Sequence, residues 1–273
     1  MSIATIYRDD MVIVSINGTP YQVDVDDPRY EDLCELLEDN NAGEEEIKEL
    51  LTNAGRYQKI LADGEHRGFD LDADPVTCNG IEIAMDLSRY LMASLDRNSG
   101  ADNPVFHFIE RLMENPSEIT RERLFAFMEH NLLPITEEGR FLAYKVVGPD
   151  YYDKHSHTVE HRPGDSPPRK SWSDVDTSPD RTCSFGYHAC AREYAVDQFY
   201  SPGDHVMCVS VAPEDVGSIP TDYNNAKLRC RGYIVVSEIT ESVLADPKFH
   251  KLHAVGGLNV DDEDRARLSP SLY

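Results

Sequence analysis

Basic residues are scarce in this chain. Its 26 Lys and Arg stand against 50 Asp and Glu, a formal net charge of −24 over 273 residues. Binding to nucleic-acid phosphates draws on clustered cations and the counterions they release, so a nucleic-acid partner is not expected beyond what a local basic patch could hold. Long apolar runs are also missing. None approaches the roughly 20 residues that a membrane-spanning helix needs. Met1 to Asp10 lacks the charged-then-apolar layout of a signal peptide, which argues against secretion. The six cysteines (Cys34, Cys78, Cys183, Cys190, Cys208 and Cys230) are scattered with no dense framework, so reduced thiols in a cytosol are the simpler reading. There is no internal repeat, sustained heptad run, Walker-type phosphate loop or paired-glycine dinucleotide fingerprint. Solenoids, coiled coils and those two nucleotide-binding folds drop out with them.

What is present predicts an α+β protein. Val12, Val14 and Ile16, the dipeptide Asn17-Gly18, then Tyr21, Val23 and Val25 spell a β-hairpin, because that dipeptide tolerates positive φ at both turn positions. Acidic helices follow. Tyr30, Leu33, Leu36 and Leu37 form one stripe, and Ile47, Leu50, Leu51 and Ala54 form another that Gly55 ends. Between Asp24 and Glu46 there are eleven carboxylates and one Arg, which reads first as a solvated face and second as a docking face for a basic partner or a mimic of nucleic acid. Weak strand patterns at Phe69-Leu71 and Ile81-Ile83 precede a helix from Met85 to Asp96. Asn103-Pro104 starts a helical pair whose second helix is capped by Ser117. Phe141 to Val147 is a strand, Tyr151 to Asp180 a long polar loop, Arg192 to Tyr200 a helix, and Val206 to Val211 and Gly232 to Glu238 are strands joined by the span Glu214 to Arg229. The expected divisions are an acidic α+β region at 1–100, the helical pair at 101–132, a mixed C-terminal domain at 133–241 and a mobile tail at 242–273.

The peptide Thr182 to Cys190 gathers two thiols, an imidazole, a phenol and Gly186. Cys183, His188 and Cys190, with Cys208 or one of His155, His157 and His161, are the ligand types zinc accepts. The six residues between the two thiols exceed the about two to four of a cysteine knuckle, and no second CxxC pair exists, so neither metal nor cofactor is expected. A cysteine nucleophile needs a base and a lowered thiol pKa. His155 or His188 could serve, but no motif spacing supports it. The order of a strand ending in Tyr144-Lys145, a His/Ser/Thr-rich loop, Gly186-Tyr187-His188, a Tyr-bearing helix and a strand loosely resembles ADP-ribosyltransferase-like cores, in which the nucleotide lies between two short sheets. A convincing catalytic Glu on the last strand is missing, so this stays an alternative by analogy.

Longer strings carry a second resemblance. Ile16 to Tyr21 matches modestly. Phe108 to Ser117 matches more strongly, and so do Glu129-His130-Asn131 with Leu133 to Gly139 and Phe141 to Val147. Asp153, His155-Ser156, Thr158, Pro163-Gly164, Thr182 to Cys190 and Ser218 to Lys227 complete the set. Together they are similar to the rIIB-like family of tailed phages, also called protectors from prophage-induced early lysis, over roughly residues 105 to 240. Longer family members carry an N-terminal helix-turn-helix-like segment. This chain begins at the hairpin, so a nucleic-acid role tied to that segment is not expected to carry over.

The resemblance implies a phage regulator of lysis timing and of resistance to prophage or host exclusion. It implies action by protein–protein contact with an rIIA-like phage protein that resembles ATPases of the gyrase/Hsp90/histidine-kinase type, and with a host or prophage defence component. No catalysis is implied. The expected place is the host cytoplasm, at the inner membrane only through a partner. Candidate interface or site residues are Lys145, Asp153, His155, Ser156, His188, Asp222, Tyr223, Asn224 and Lys227. Gly186, Cys183 and Cys190 are read as a structural turn, with both thiols packed inward.

Overall fold

Burial alternates along Met11–Ile16 (β2), the middle strand of an antiparallel meander with Ile3–Tyr7 (β1) and Thr19–Asp24 (β3), in the order β1-β2-β3. The computed structural model describes residues 3–16, 18–25, 27, 29–39, 42–51, 53–97, 103–181, 184–221 and 226–240. The chain divides into two units, residues 1–106 and 107–273. Val12, Val14, Ile16 and Val23 sit on one face of the meander and are buried, as a period of two dictates. Gly18, at φ 85, supplies the left-handed conformation the hairpin needs; Asn17 lies outside the described residues. Two details differ from expectation. β1 adds a third strand, and Val25 is 49% exposed because β3 stops at Asp24.

The helices Tyr30–Glu38 (α1) and Glu44–Leu50 (α2) contribute Leu33 and Ile47 to the same core, joined by Leu51. The next helix, Asn53–His66 (α3), runs through Gly55 instead of ending there. A helical Gly costs about 1 kcal/mol relative to Ala, too little to break a helix held by other contacts. Gly64 in the same helix has a packing reason, since a Cβ there would lie 2.7 Å from the Leu71 side chain. A small sheet of Phe69–Asp70 (β4), Thr77–Cys78 (β5) and Ile81–Glu82 (β6) follows, and its middle strand was not anticipated. Helix Met85–Arg97 (α4) turns Leu87, Leu91 and Leu95 inward. Asn103 caps the helix Pro104–Met113 (α5): its Oδ1 accepts from the Val105 N–H at 3.0 Å, while its Nδ2 donates to Ser94 Oγ at 2.9 Å.

In the second unit, Ser117 caps the helix Glu118–His130 (α6), accepting from the Thr120 N–H at 3.3 Å. A fully antiparallel six-stranded sheet follows, made of Phe141–Val147 (β7), Tyr187–Cys190 (β8), His205–Val211 (β9), Val216–Ser218 (β10), Lys227–Cys230 (β11) and Ile234–Ile239 (β12). Its order is β10-β11-β8-β7-β9-β12. Three of these strands correct the sequence reading. Tyr187–Cys190 is a strand where a turn was expected, and β10 and β11 lie within what was read as a connection. They are three or four residues long, and every residue of β10 and β11 is buried, so neither offers the polar alternation that marks a strand. Residues Tyr194–Phe199 form a π-helix. Among the described residues no helix is long and apolar enough to cross a membrane.

Gly139, at φ 69, turns the chain into β7 against the backbone of α5; an added Cβ would lie 2.3 Å from the His107 carbonyl carbon and 2.4 Å from the Phe108 nitrogen. Gly139→Ala combines left-handed strain with a backbone clash that cannot relax by rotamer change. It is expected to destabilise the second unit by more than about 2 kcal/mol, read as a lower urea midpoint with an unchanged slope.

Candidate functional site: a cleft at the split of the sheet

Strands β7 and β8 are neighbours through one residue pair, Tyr144↔Cys190. On the other side, β7 pairs with β9 over seven residues, from Phe141↔Val211 to Val147↔His205. The sheet is therefore two three-strand halves joined at a single bridge. At the bridge the Cys190 thiol donates to the Tyr144 carbonyl at 3.3 Å. One residue further along β7, Lys145 Nζ reaches the His188 carbonyl at 3.5 Å, a long contact by hydrogen-bond standards. A cleft of 1010 Å³ opens there, lined by Lys145 of β7, Tyr187 to Cys190 of β8, Lys227 of β11, and residues of three flanking segments.

The flanks are built by local hydrogen bonding. Asp153 folds its loop back on itself by accepting from the Ser156 hydroxyl at 2.5 Å and from the Ser156 and His155 N–H groups at 2.9 and 3.3 Å. Ser156 Oγ also lies 2.6 Å from Thr158 Oγ1. Next to Asp153, Lys154 bonds Asp204 at 2.6 Å and the Phe199 carbonyl at 2.9 Å, tying this loop to the π-helix. The opposite wall hangs on Arg229. Its side chain is fully buried, and its guanidinium donates to the carbonyls of Asp176 at 2.9 Å, Arg181 at 2.6 Å and Ser178, and to Ser218 Oγ at 3.2 Å. Gly186, at φ 132, then bends the chain into β8, close to Val175 and Arg229. The bend leaves Phe185 79% exposed at the cleft rim.

Charge in the cleft runs against charge in the chain. Its lining holds four lysines (Lys145, Lys154, Lys170 and Lys227) and two aspartates (Asp153 and Asp174). Both aspartates are engaged by hydroxyl donors; Asp174 accepts from Ser171 Oγ at 2.6 Å. Burial raises the Asp153 carboxyl, but the hydrogen bonds from Ser156 and the charge of Lys145 overcome it and hold the pKa at about 2. Burial pushes the Lys145 ammonium below its ordinary value, with Asp153 acting the other way. Burial and the charge of Lys145 lower His188 to about 4, so its ring is neutral at pH 7. The thiols of Cys190, Cys208 and Cys230 are each pushed up to about 12 by burial, which keeps them protonated and poorly nucleophilic. Among the described residues, no three His, Cys, Asp or Glu side chains gather as a metal site would require.

The structure brings Lys145, Asp153, His155, Ser156, His188 and Lys227 to this one cleft, together with Gly186 and Cys190. Asp222, Tyr223, Asn224 and Cys183 lie outside the described residues. The sequence reading missed Lys154, Lys170, Tyr194 and Phe199 as lining residues, and Arg229 as the anchor of a wall. A basic residue between two apolar ones, Leu228-Arg229-Cys230, was the available signal for Arg229.

Two expectations follow. Arg229→Met removes the donors that satisfy buried carbonyls and should cost about 3 kcal/mol in urea unfolding. The second concerns pH. His188 and the fully buried His161, whose Nδ1 lies 3.3 Å from the Tyr233 hydroxyl and whose Nε2 is unsatisfied, are both lowered to about 4 by burial. An unfolded His titrates near about 6.5. Between these values the unfolded chain binds more protons, so stability is full above about 6.5 and falls as pH drops toward about 4. The slope of unfolding free energy against pH in that window should shrink in the His161→Gln/His188→Gln double variant, even if its stability at neutral pH is lower.

With the geometry in place, comparison with known proteins is specific. The family model Phage_T4_rIIB, described as Bacteriophage T4 protein rIIB, matches residues 2–248. A similar protein is Protein rIIB of Enterobacteria phage T4, 41% identical over 163 residues, which is 59% of this chain and 51% of that protein. The chain thus matches about half the length of that curated relative. No solved structure matches. The chain belongs to the rIIB family of bacteriophage proteins.

Proposed function

We propose that this chain is a phage regulator of lysis timing and of resistance to prophage or host exclusion, acting by binding and not by bond chemistry. The observation that carries the reading is the family match across residues 2–248. The chemistry of the cleft supports the binding half of it. Of its two carboxylates, Asp153 is held at about 2, unsuited to general acid–base work near neutrality, and Asp174 accepts from the Ser171 hydroxyl. The described thiol that lines it, Cys190, is protonated at about 12 and engaged with a carbonyl. The partners in this reading are an rIIA-like phage protein and a component of the host or prophage defence. The protein then works in the host cytoplasm and reaches the inner membrane through a partner.

A second reading, a nucleotide-processing enzyme with an ADP-ribosyltransferase-like core, is favoured by one observation: the cleft lies where two three-strand halves of the sheet part. Infection separates the two. A phage lacking this reading frame should plate normally on a prophage-free host and fail on a prophage-carrying one. Alanine at His155 or at His188, with circular dichroism confirming the fold, should restore plating. Failure of folded alanine variants would favour the enzyme. Equal plating of the deletion on both hosts would remove the anti-exclusion role.

A further inference from the structure

We propose that the cleft at the split of the sheet binds a nucleotide, with its phosphates at Lys145 and its base against the aromatic wall at Phe185 and Tyr187. This goes beyond the regulator reading and needs no catalysis. Three observations carry it, and each concerns a different part of such a ligand.

The first is a half-buried ammonium without a direct ion pair. Lys145 is half-buried, yet among the described residues no carboxylate lies within ion-pair distance of its Nζ. Its contacts are the long one to the His188 carbonyl and the face of the Tyr233 ring at 5.9 Å. Asp153 acts on it from beyond ion-pair distance and is itself bonded to Ser156 and His155, so burial still outweighs it and lowers the ammonium. Lys154, by contrast, is closed off by Asp204. An anion entering beside Lys145 would supply the close contact that Asp153 does not make.

The second is the aromatic wall. Phe185 is the most exposed large apolar side chain among the described residues, at 79%, and it sits on the rim of the same cleft. Tyr187 follows it in the lining, with Lys170 Nζ 4.6 Å from its ring centre. An exposed aromatic next to cations is how a flat base and a phosphate are held together, since stacking needs no particular base and the cation serves the phosphate.

The third is size against field. The chain carries a net charge of −24, so its overall potential repels anions. Capture of one therefore needs short-range complementarity at a built site. The 1010 Å³ of the cleft reaches the upper end of the about 300–1,000 Å³ typical of ligand pockets. An inorganic phosphate would satisfy Lys145 and leave the aromatic wall bare. A nucleotide uses both, and the neutral His188 ring next to Lys145 offers one donor and one acceptor to its sugar or base.

The test is isothermal titration of the purified full chain with ATP, NAD⁺, adenosine and inorganic phosphate at low and raised salt. At least one of the two nucleotides is expected to bind with a Kd below about 1 mM, with adenosine and phosphate at least about tenfold weaker and with affinity falling as salt rises. Lys145→Met should weaken that nucleotide about tenfold or more, and Phe185→Ala several-fold. Phe185→Ala touches an exposed side chain and should leave the melting temperature of the free protein unchanged, so it keeps the test valid if Lys145→Met folds poorly. The proposal is overturned if neither nucleotide binds the folded protein, if phosphate binds as tightly as the nucleotides, or if Phe185→Ala binds them unchanged. None of these outcomes depends on plating behaviour, so a failure here is distinct from a failure of the regulator reading.

Discussion

The second unit depends on a buried guanidinium. Arg229 sits in the middle of β11 opposite His188 of β8, and its donors run outward from the sheet to carbonyls of the 176–181 segment. Burying such a group is costly unless its hydrogens are taken up. Here the backbone takes them, so the loop cannot leave without exposing the charge to an apolar surrounding. One interaction thereby does two jobs. It satisfies carbonyls in a stretch with little regular structure, and it fixes the far wall of the cleft relative to the strand that forms its floor. The arrangement also explains why Gly186 must turn sharply just before β8, with Val175 and Arg229 both within van der Waals reach of where a Cβ would be.

The split of the sheet is the second consequence of that packing. β8 is held to β11 along four residue pairs and to β7 by one. Backbone groups that a longer ladder would have consumed face the gap, and the His188 carbonyl is met instead by the Lys145 side chain. A lysine is a poor substitute for a ladder bond because its ammonium brings a full charge into a half-buried position. The acidic surface helps little, since Asp153 offsets the charge only in part, from beyond ion-pair distance, and both cleft aspartates are also engaged by hydroxyl donors. Local electrostatics in this cleft are therefore opposite in sign to the average of the chain.

Much of the fold could be read from the residues, for identifiable reasons. The hairpin was legible because Val12, Val14 and Ile16 alternate and Gly18 marks the turn. α4 and α5 were legible because Leu87, Leu91 and Leu95, then Val105, Phe108, Ile109 and Leu112, repeat at helical spacing. Strands β10 and β11 were not, because Lys227-Leu228-Arg229-Cys230 is buried at every position and period-two contrast disappears. α3 was missed because Gly55 looked like a stop, and only its neighbours decide that it is not. In the site, Lys145, Asp153, His155, Ser156, His188 and Lys227 could be named from residue type and family strings, and they converge. Lys170 and Phe199 could not, because their membership depends on how two loops and a π-helix fold back.

The peptide from Tyr187 to Cys190 shows how chemical appearance and physical role separate. Its thiol and imidazole suggest metal or nucleophilic chemistry when read as letters. In the fold, Cys190 occupies the point where β7, β8 and β11 converge, paired with Tyr144 on one side and Lys227 on the other. A small side chain with a weak donor suits that point. A larger residue would force the two halves apart, and a charged one would be buried beside Lys227, itself 6% exposed. Burial that protonates the thiol is the same burial that seats the bridge. His188, two residues earlier, is on the open side of the bridge, where the strands have already parted. Its carbonyl is used by Lys145, and its ring, kept neutral by burial and by that same lysine, lines the cleft. Position along a diverging pair of strands, more than residue type, decides which of these two groups is structure and which is left to meet a ligand.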